Sequence, residues 1–250
     1  MSISIKNDEQ IKIMRVAGEI NARTHEMLEA AVAPGVTTGE LNKLADSYIR
    51  SRGAKPAFKG YRGFPASVCV SVNEEVIHGI PGLKKLLTGD IVSIDIGVLY
   101  NGFYSDAART FPVGGVSSEA RRLIDVARES FFAGIAFARA GAHLYQISGA
   151  INDYVESNGF SVVREWVGHG VGRALHEPPE IPNYRMPNRG PRLYPGMTLA
   201  IEPMVNAGTY EILTRKDSWT VVTRDGRLSA HYENTVLVTA GEPELLTLLG

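Results

Sequence analysis

The dipeptide Asn101-Gly102 lies at the centre of VSIDIGVLYNGFYSDAAR, residues 92–109, between two largely apolar arms. Asn-Gly in that setting is the strongest short-range signal for a two-residue type I′ hairpin turn. A turn there fixes the register, placing Asp95 opposite Ala108 and Asp106 opposite Gly97. Directly paired residues share a face of the sheet. The two acids are then diagonal neighbours, about 7 Å apart at the backbone, and can converge over space left by glycine and alanine.

Converging carboxylates repel, and burial raises their pKa values further. A shared proton, basic partners or a metal would relieve this. Solvation, or an ion pair with Arg109, would also account for two acids in a hairpin.

Other residues bear on the choice. Glu202 follows the apolar run Thr198-Leu-Ala-Ile, and Glu233 leads ENTVLV. A lone carboxylate in an apolar strand is costly. His169 sits in GHGVG, where small neighbours permit close backbone approach, and His176 follows in LHEPP. Four carboxylates and one imidazole suit two divalent cations, with Mn²⁺, Fe²⁺, Co²⁺ or Zn²⁺ matching those donors. A water or hydroxide on such a pair is the nucleophile of metal-assisted hydrolysis. GHGVG lacks the spacing of a phosphate-binding loop, and Pro178-Pro179 is expected to break the chain soon after.

The flanking pattern alternates helices and strands. Asn7 or Asp8 is expected to cap a first helix, and Thr38–Ser51 to form a second, ended by Gly53. Residues 55–65 read as a loop, 67–72 as a strand and 91–111 as the hairpin. Helices are expected over 118–139 and 147–157, and strands over 161–167, 198–205, 219–223 and 233–238. A weak repeat relates the segments from Ala33 and Arg139: Gly35 meets Gly141, Tyr48 meets Tyr154 and Gly53 meets Gly159. Further on, GDIVSIDIG aligns with GMTLAIEPM, placing Asp95 opposite Glu202. Two related halves follow, with a site at their junction.

A net charge of −1 gives no field for nucleic acid or an anionic membrane. No apolar run approaches the roughly 18–20 residues of a membrane span, and no signal-peptide h-region opens the chain. The single cysteine, Cys69, excludes an intrachain disulfide. A cytoplasmic protein is expected.

In SVCVSVNEEVIHGIPG (67–82), GDIVSIDIGVLYNGFYSD (89–106), GHGVGRALHEPP (168–179), LAIEPMVNAG (199–208) and DSWTVVTRDGRLSAHYENTVLVT (217–239), the chain closely resembles the type I methionine aminopeptidases. The resemblance covers nearly the whole length. It implies the α+β pita-bread fold: two pseudo-symmetric αβ halves, a curved and mostly antiparallel sheet, helices on the outer face and metals at the centre. It implies one catalytic domain over 1–250, with halves of roughly 1–115 and 116–250. The family's dimetal ligands fall on Asp95, Asp106, His169, Glu202 and Glu233. Asp95 would chelate one ion, His169 would bind the other, and Asp106 and Glu233 would bridge them. Glu202 would also be the general base, and His176 and His78 would contact the scissile carbonyl and amide. The methionine pocket maps onto Tyr61, Phe64, Cys69 and Trp219, with Phe58 and Leu175 at neighbouring positions where relatives vary. Cys69 reads as pocket lining. His231, near Glu233, has no assigned role.

The implied activity is metal-dependent removal of N-terminal methionine before a small second residue, by a dimetal-bridging water or hydroxide. Nascent chains at the ribosome would be the partners of a monomeric enzyme. The absence of an N-terminal extension, and the short step from His176 to Glu202, favour the bacterial-type single-domain form. Prolidases and aminopeptidase P enzymes share the fold and metal set, usually with an extra N-terminal domain. A non-catalytic binding module on the same scaffold would have lost ligands. The Met1-Ser2 start is itself a suitable substrate, so self-processing is expected.

Overall fold

The protein is described from a computed structural model covering residues 3–249; the expected self-processing at Met1-Ser2 lies outside them. Helix α1 (Asp8–Ala31) starts at Asn7, whose side chain accepts the Gln10 N–H while the Gln10 side chain accepts the Asn7 N–H. This reciprocal box satisfies two amides that the first turn leaves without partners. Helix α2 (Thr38–Ser51) is capped in the same way by Thr37 and Glu40.

Helix α3 (Ser118–Ile135) ends before the expected Arg139. The chain tightens through i→i−3 bonds from Phe137 and Ala138, and Arg139 is drawn into a bridge with Thr239. Helix α4 (Leu144–Ser157) starts three residues before the expected Ile147, because the Gln146 side chain accepts the His143 N–H. Capping at a histidine is not a signal that the sequence advertises.

The first half contributes β1 (Lys55–Pro56), β2 (Cys69–Val72), β3 (Glu75–Ile77), β4 (Ile91–Tyr100) and β5 (Phe103–Pro112). Strand β4 pairs antiparallel with β1, β2 and β5. The β4–β5 hairpin has the expected register, Asp95 with Ala108 and Gly97 with Asp106. Its turn residues Asn101 and Gly102 have φ of 45° and 79°, both positive as a type I′ turn requires.

The second half contributes β6 (Ser161–Val162), β7 (Gly168–Gly170), β8 (Glu177–Ile181), β9 (Thr198–Ile201), β10 (Met204–Asn206), β11 (Ile212–Thr214), β12 (Val221–Thr223), β13 (Ser229–His231), β14 (Asn234–Leu237) and β15 (Glu244–Leu245). Strands β15, β14, β9, β7 and β8 form one antiparallel sheet in that order. Strand β10 lies between β6 and β13, and β12 lies between β11 and β3.

Three expectations change here. Pro178-Pro179 does not break the chain but lies in β8, at a sheet edge where prolines leave no ladder bond unmade. The strand expected over 198–205 splits at Glu202-Pro203, and its two pieces enter different sheets. Only the first two residues of 161–167 form a strand.

The repeat is visible in the backbone. Helices α2 and α4 have equal length and are followed by Gly53 and Gly159 at φ 73° and 75°. Gly35 and Gly141, ahead of them, have φ 93° and 87°. One apolar core packs α1 and α2 on the first sheet through Leu28, Leu41, Ile49, Val92, Ile94 and Ile96. A second packs α3 and α4 on the other through Leu123, Phe131, Ile147, Leu199, Ile201 and Val236. Among the described residues no helix is long and apolar enough to cross a membrane.

Candidate metal centre and its pocket

The two halves meet where Glu233, between β13 and β14, pairs with Ala108 of β5. The Glu233 N–H donates to the Ala108 carbonyl at 2.9 Å, and the Ala108 N–H returns the bond at 3.4 Å. This sets Glu233 beside Asp106, whose backbone is tied to Thr235 by two bonds of 2.9 Å.

His169 arrives on β7, opposite Ala200 of β9. A Cβ on Gly168 would stand 2.4 Å from the Ala200 carbonyl, and one on Gly170 would stand 2.3 Å from that of Pro178. Only glycines let this strand lie so close to both neighbours. His169 Nε2 is 3.5 Å from Glu202 Oε1 and 3.8 Å from Asp106 Oδ2. Its Nδ1 is 2.9 Å from the Gly170 carbonyl. A proton on Nδ1 serves that bond and leaves the Nε2 lone pair facing the acids, the arrangement typical of a metal-ligating histidine.

Asp106, His169 and Glu233 place one ligand atom each within 4.8 Å of one another, and Glu202, His231 and Glu233 do the same. Asp95 lines the same cavity as Asp106, Glu202 and Glu233. Burial pushes the Asp95 carboxyl up to about 7. Burial, then repulsion from Asp95 and Glu202, holds Asp106 well above its ordinary value. Burial does the same to Glu202, and burial followed by Asp106 and Glu202 does so to Glu233. Desolvation also lowers His169 to about 3 and His231 to about 4, so both imidazoles are neutral at pH 7.

The Arg109 guanidinium makes no ion pair with these acids, and its charge lowers Glu233 only against larger causes that raise it. It donates to the carbonyls of Ala108, Glu233 and Thr247 and to Asn234 Oδ1. Asp95 Oδ1, Asp106 Oδ1, Glu233 Oε1 and His231 Nε2 are buried and have no hydrogen-bond partner among the described residues. Buried polar atoms are rarely left so. Four carboxylates with a neutral imidazole, converging with orphaned oxygens and no cation, are a donor set that fits divalent metal.

The acids line a cavity of about 250 Å³. Phe58, Tyr61, Phe64, Cys69, His78, Leu175, His176 and Trp219 all line it too. The space expected above Gly97 is not open: a Cβ there would stand 2.5 Å from the Phe58 ring, so the glycine seats a pocket wall. Phe64 meets Trp219 edge-on at 5.1 Å. Burial, then the nearby acids, raises the Cys69 thiol well above its ordinary value, leaving it a neutral wall and not a nucleophile.

His176 stacks on Tyr61, and Tyr61 Oη is 2.9 Å from its Nδ1. His78 takes a left-handed backbone, φ 58°, and packs edge-on against Trp166 at 4.8 Å. Burial lowers both histidines to about 4. Arg62, Ile77, Trp166 and Val167 complete the lining, and no local pattern marks them as site residues.

Residues 12–240 match the model of metallopeptidase family M24. A methionine aminopeptidase of Clostridium perfringens is 57% identical over 247 residues, covering 99% of both chains. Methionine aminopeptidase 1 of Bacillus subtilis is 53% identical over 245 residues, covering 98% of this chain and 99% of the relative. The crystal structure of methionine aminopeptidase from Thermotoga maritima superposes with a TM-score of 0.97 at 44% identity, over 99% of this chain and 100% of that one. Prolidase from Pyrococcus furiosus superposes with a TM-score of 0.81 at 25% identity, over 98% of this chain but 66% of that one. With its pita-bread fold and its cluster of carboxylates and imidazoles, the chain belongs to metallopeptidase family M24, among the methionine aminopeptidases.

Proposed function

We propose that the chain hydrolyses the peptide bond after an N-terminal methionine, with divalent metal as cofactor. One observation carries this reading: the metal-fitting acids and His169 line the same cavity of about 250 Å³ as a set of rings and apolar side chains. Asp95, Asp106, His169, Glu202 and Glu233 hold the metal. When bound, two divalent ions supply Lewis acidity and make water a nucleophile at neutral pH.

The chain's own residues do the rest. Phe58, Tyr61, Phe64, Cys69, Leu175 and Trp219 bury the methionine side chain, and a thioether packs well against rings. Glu202 takes a proton from the attacking water and returns one to the leaving amine. Tyr61 holds His176 through Nδ1, leaving Nε2–H to donate to the scissile carbonyl as negative charge develops there. His78 orients the scissile amide. Because both histidines are neutral at pH 7, they donate without repelling the substrate's α-ammonium group.

A small second residue, nascent chains at the ribosome, a cytoplasmic setting and a monomer acting as one catalytic unit complete the proposal. The test compares Met-Ala-Ser with an X-Pro peptide, using enzyme stripped by a chelator and then given Mn²⁺ or Co²⁺. Methionine release that requires the metal is expected. Preferential cleavage of the X-Pro peptide, or no cleavage with metal restored, overturns the assignment.

A further inference from the structure

His231 stands outside the five proposed ligands and off the lining of the cavity, yet it meets the geometric test that singles out His169. Its Nε2 is 3.6 Å from Glu202 Oε2 and 4.0 Å from Glu233 Oε2. These gaps are too long for hydrogen bonds. They are close to the edge of a coordination shell, since ligands at about 2.0–2.1 Å from a tetrahedral ion lie about 3.4 Å apart. The two His169 gaps, 3.5 and 3.8 Å, fall in the same range.

The Glu202 carboxylate therefore lies between two imidazoles, with Oε1 towards His169 and Oε2 towards His231. Two triads result, Asp106–His169–Glu233 and Glu202–His231–Glu233, each with one imidazole and two carboxylates and with Glu233 in common. His231 Nε2 is buried and has no hydrogen-bond partner among the described residues.

The backbone of His231 is fixed for such a role. Its N–H donates to Thr110 Oγ1, which donates in turn to the His231 carbonyl, both at 2.9 Å. Since that hydroxyl proton is spent, Ser93 donates to Thr110 at 2.8 Å. His231 also pairs with Met204, two residues beyond Glu202. A ligand held this firmly loses little freedom when an ion arrives.

We propose that His231 is a sixth metal ligand, binding through Nε2 the ion seated between Glu202 and Glu233. The proposal rests on the metal centre described above. It makes the centre richer in nitrogen than the five-residue set, which favours Co²⁺ and Zn²⁺ over Mn²⁺.

The test is proton NMR of the Co²⁺-loaded protein with ¹⁵N-labelled histidine. Paramagnetic Co²⁺ moves the ring resonances of bound imidazoles far outside the ordinary range. Two shifted imidazoles are expected in the native protein. His231→Gln should lose one and His169→Asn the other. His231→Gln should also weaken Co²⁺ or Zn²⁺ binding by at least about tenfold in a chelator competition, with a smaller effect on Mn²⁺. One shifted imidazole in the native protein, or two that persist in His231→Gln, overturns the proposal while leaving the centre intact. No shifted imidazole at all overturns the metal centre itself. The count in the native protein decides the matter even if a variant fails to fold.

Discussion

Buried charge is handled in two ways in this molecule. At the edge of the second sheet, Lys6 Nζ meets Glu177 Oε2 at 2.8 Å, and Glu177 Oε1 accepts the Ala174 N–H. Burial works to raise the Glu177 pKa, but Lys6 and the backbone donors outweigh it and bring the carboxyl below its ordinary value. On the lysine, burial outweighs the partner and lowers the pKa. The pair is complete within the polypeptide. At the hairpin, four carboxylates converge with no cation, and every one is pushed up. Desolvated, unpaired charge costs folding energy. A chain that matches Glu177 with Lys6, and the buried Glu75 with Lys84 and Arg215, yet gives these four acids no such partner has left them for a ligand carrying positive charge.

The largest effect expected from this contrast is at Glu202. Glu202→Gln keeps the shape and removes the proton acceptor, so kcat should fall by about 10²–10⁴-fold, as loss of a general base does. The same substitution removes an unmatched buried acid, so the metal-free protein should become more stable to urea. Activity near the native level would remove Glu202 from catalysis. Loss of both activity and metal-free stability would mean that the carboxylate has a partner within the fold.

The parts of this contrast legible in sequence are those written in local chemistry. Asn101-Gly102 fixed the facing of Asp95 and Asp106 because a two-residue turn permits one register. The first cap was readable as Asn7 or Asp8, and the structure uses Asn7. Strand β7 was not: three residues, Gly-His-Gly, show no alternation, and only its bonds to β8 and β9 make it a strand. Pro178-Pro179 reads as a stop until the chain is known to run along a sheet edge. The approach of His231 to Glu202 depends on the β10–β13 pairing, which no local pattern specifies. The residues lining the cavity come from widely separated stretches of chain, which no local pattern brings together.

The next effect is in the pH dependence of the metal-free protein. Asp95 has a folded pKa of about 7, and Asp106, Glu202 and Glu233 are held well above their ordinary values. Between the unfolded and folded pKa values the native state binds more protons than the unfolded chain, so stability falls as pH rises. Five histidines act oppositely. His25, His78, His169, His176 and His231 are lowered to about 3–4, so each favours folding as pH rises towards 6.5. Above pH 6.5 these histidines are neutral in both states and the carboxylates dominate. In chelator, the urea midpoint should fall from pH 6.5 to 8, by up to about 1.4 kcal/mol per pH unit for each proton the native state retains. With Mn²⁺ or Co²⁺ the fall should vanish, because the ion replaces those protons. A metal-free midpoint that holds steady or rises over this range would show that the four acids are already compensated.

The smallest effect comes from making the matched pair resemble the unmatched centre. Lys6→Met leaves Glu177 partly buried with only the backbone N–H groups of Ala174 and Arg173 to hold it. Stability at pH 7 should fall by about 1–3 kcal/mol, the cost of a lost partner for a charged group, and towards the lower end because Glu177 keeps some solvent. Acid should narrow the gap to the native protein, since protonating Glu177 removes the stranded charge. Divalent metal should restore nothing, because one carboxylate without convergent partners is no coordination site. Adding Glu177→Gln to Lys6→Met should recover part of the loss. If Lys6→Met costs nothing, or if metal rescues it, the two regions do not differ in kind. Rescue by acid at Lys6–Glu177 and by metal at the hairpin would separate a charge matched by the chain from charges left for a cofactor.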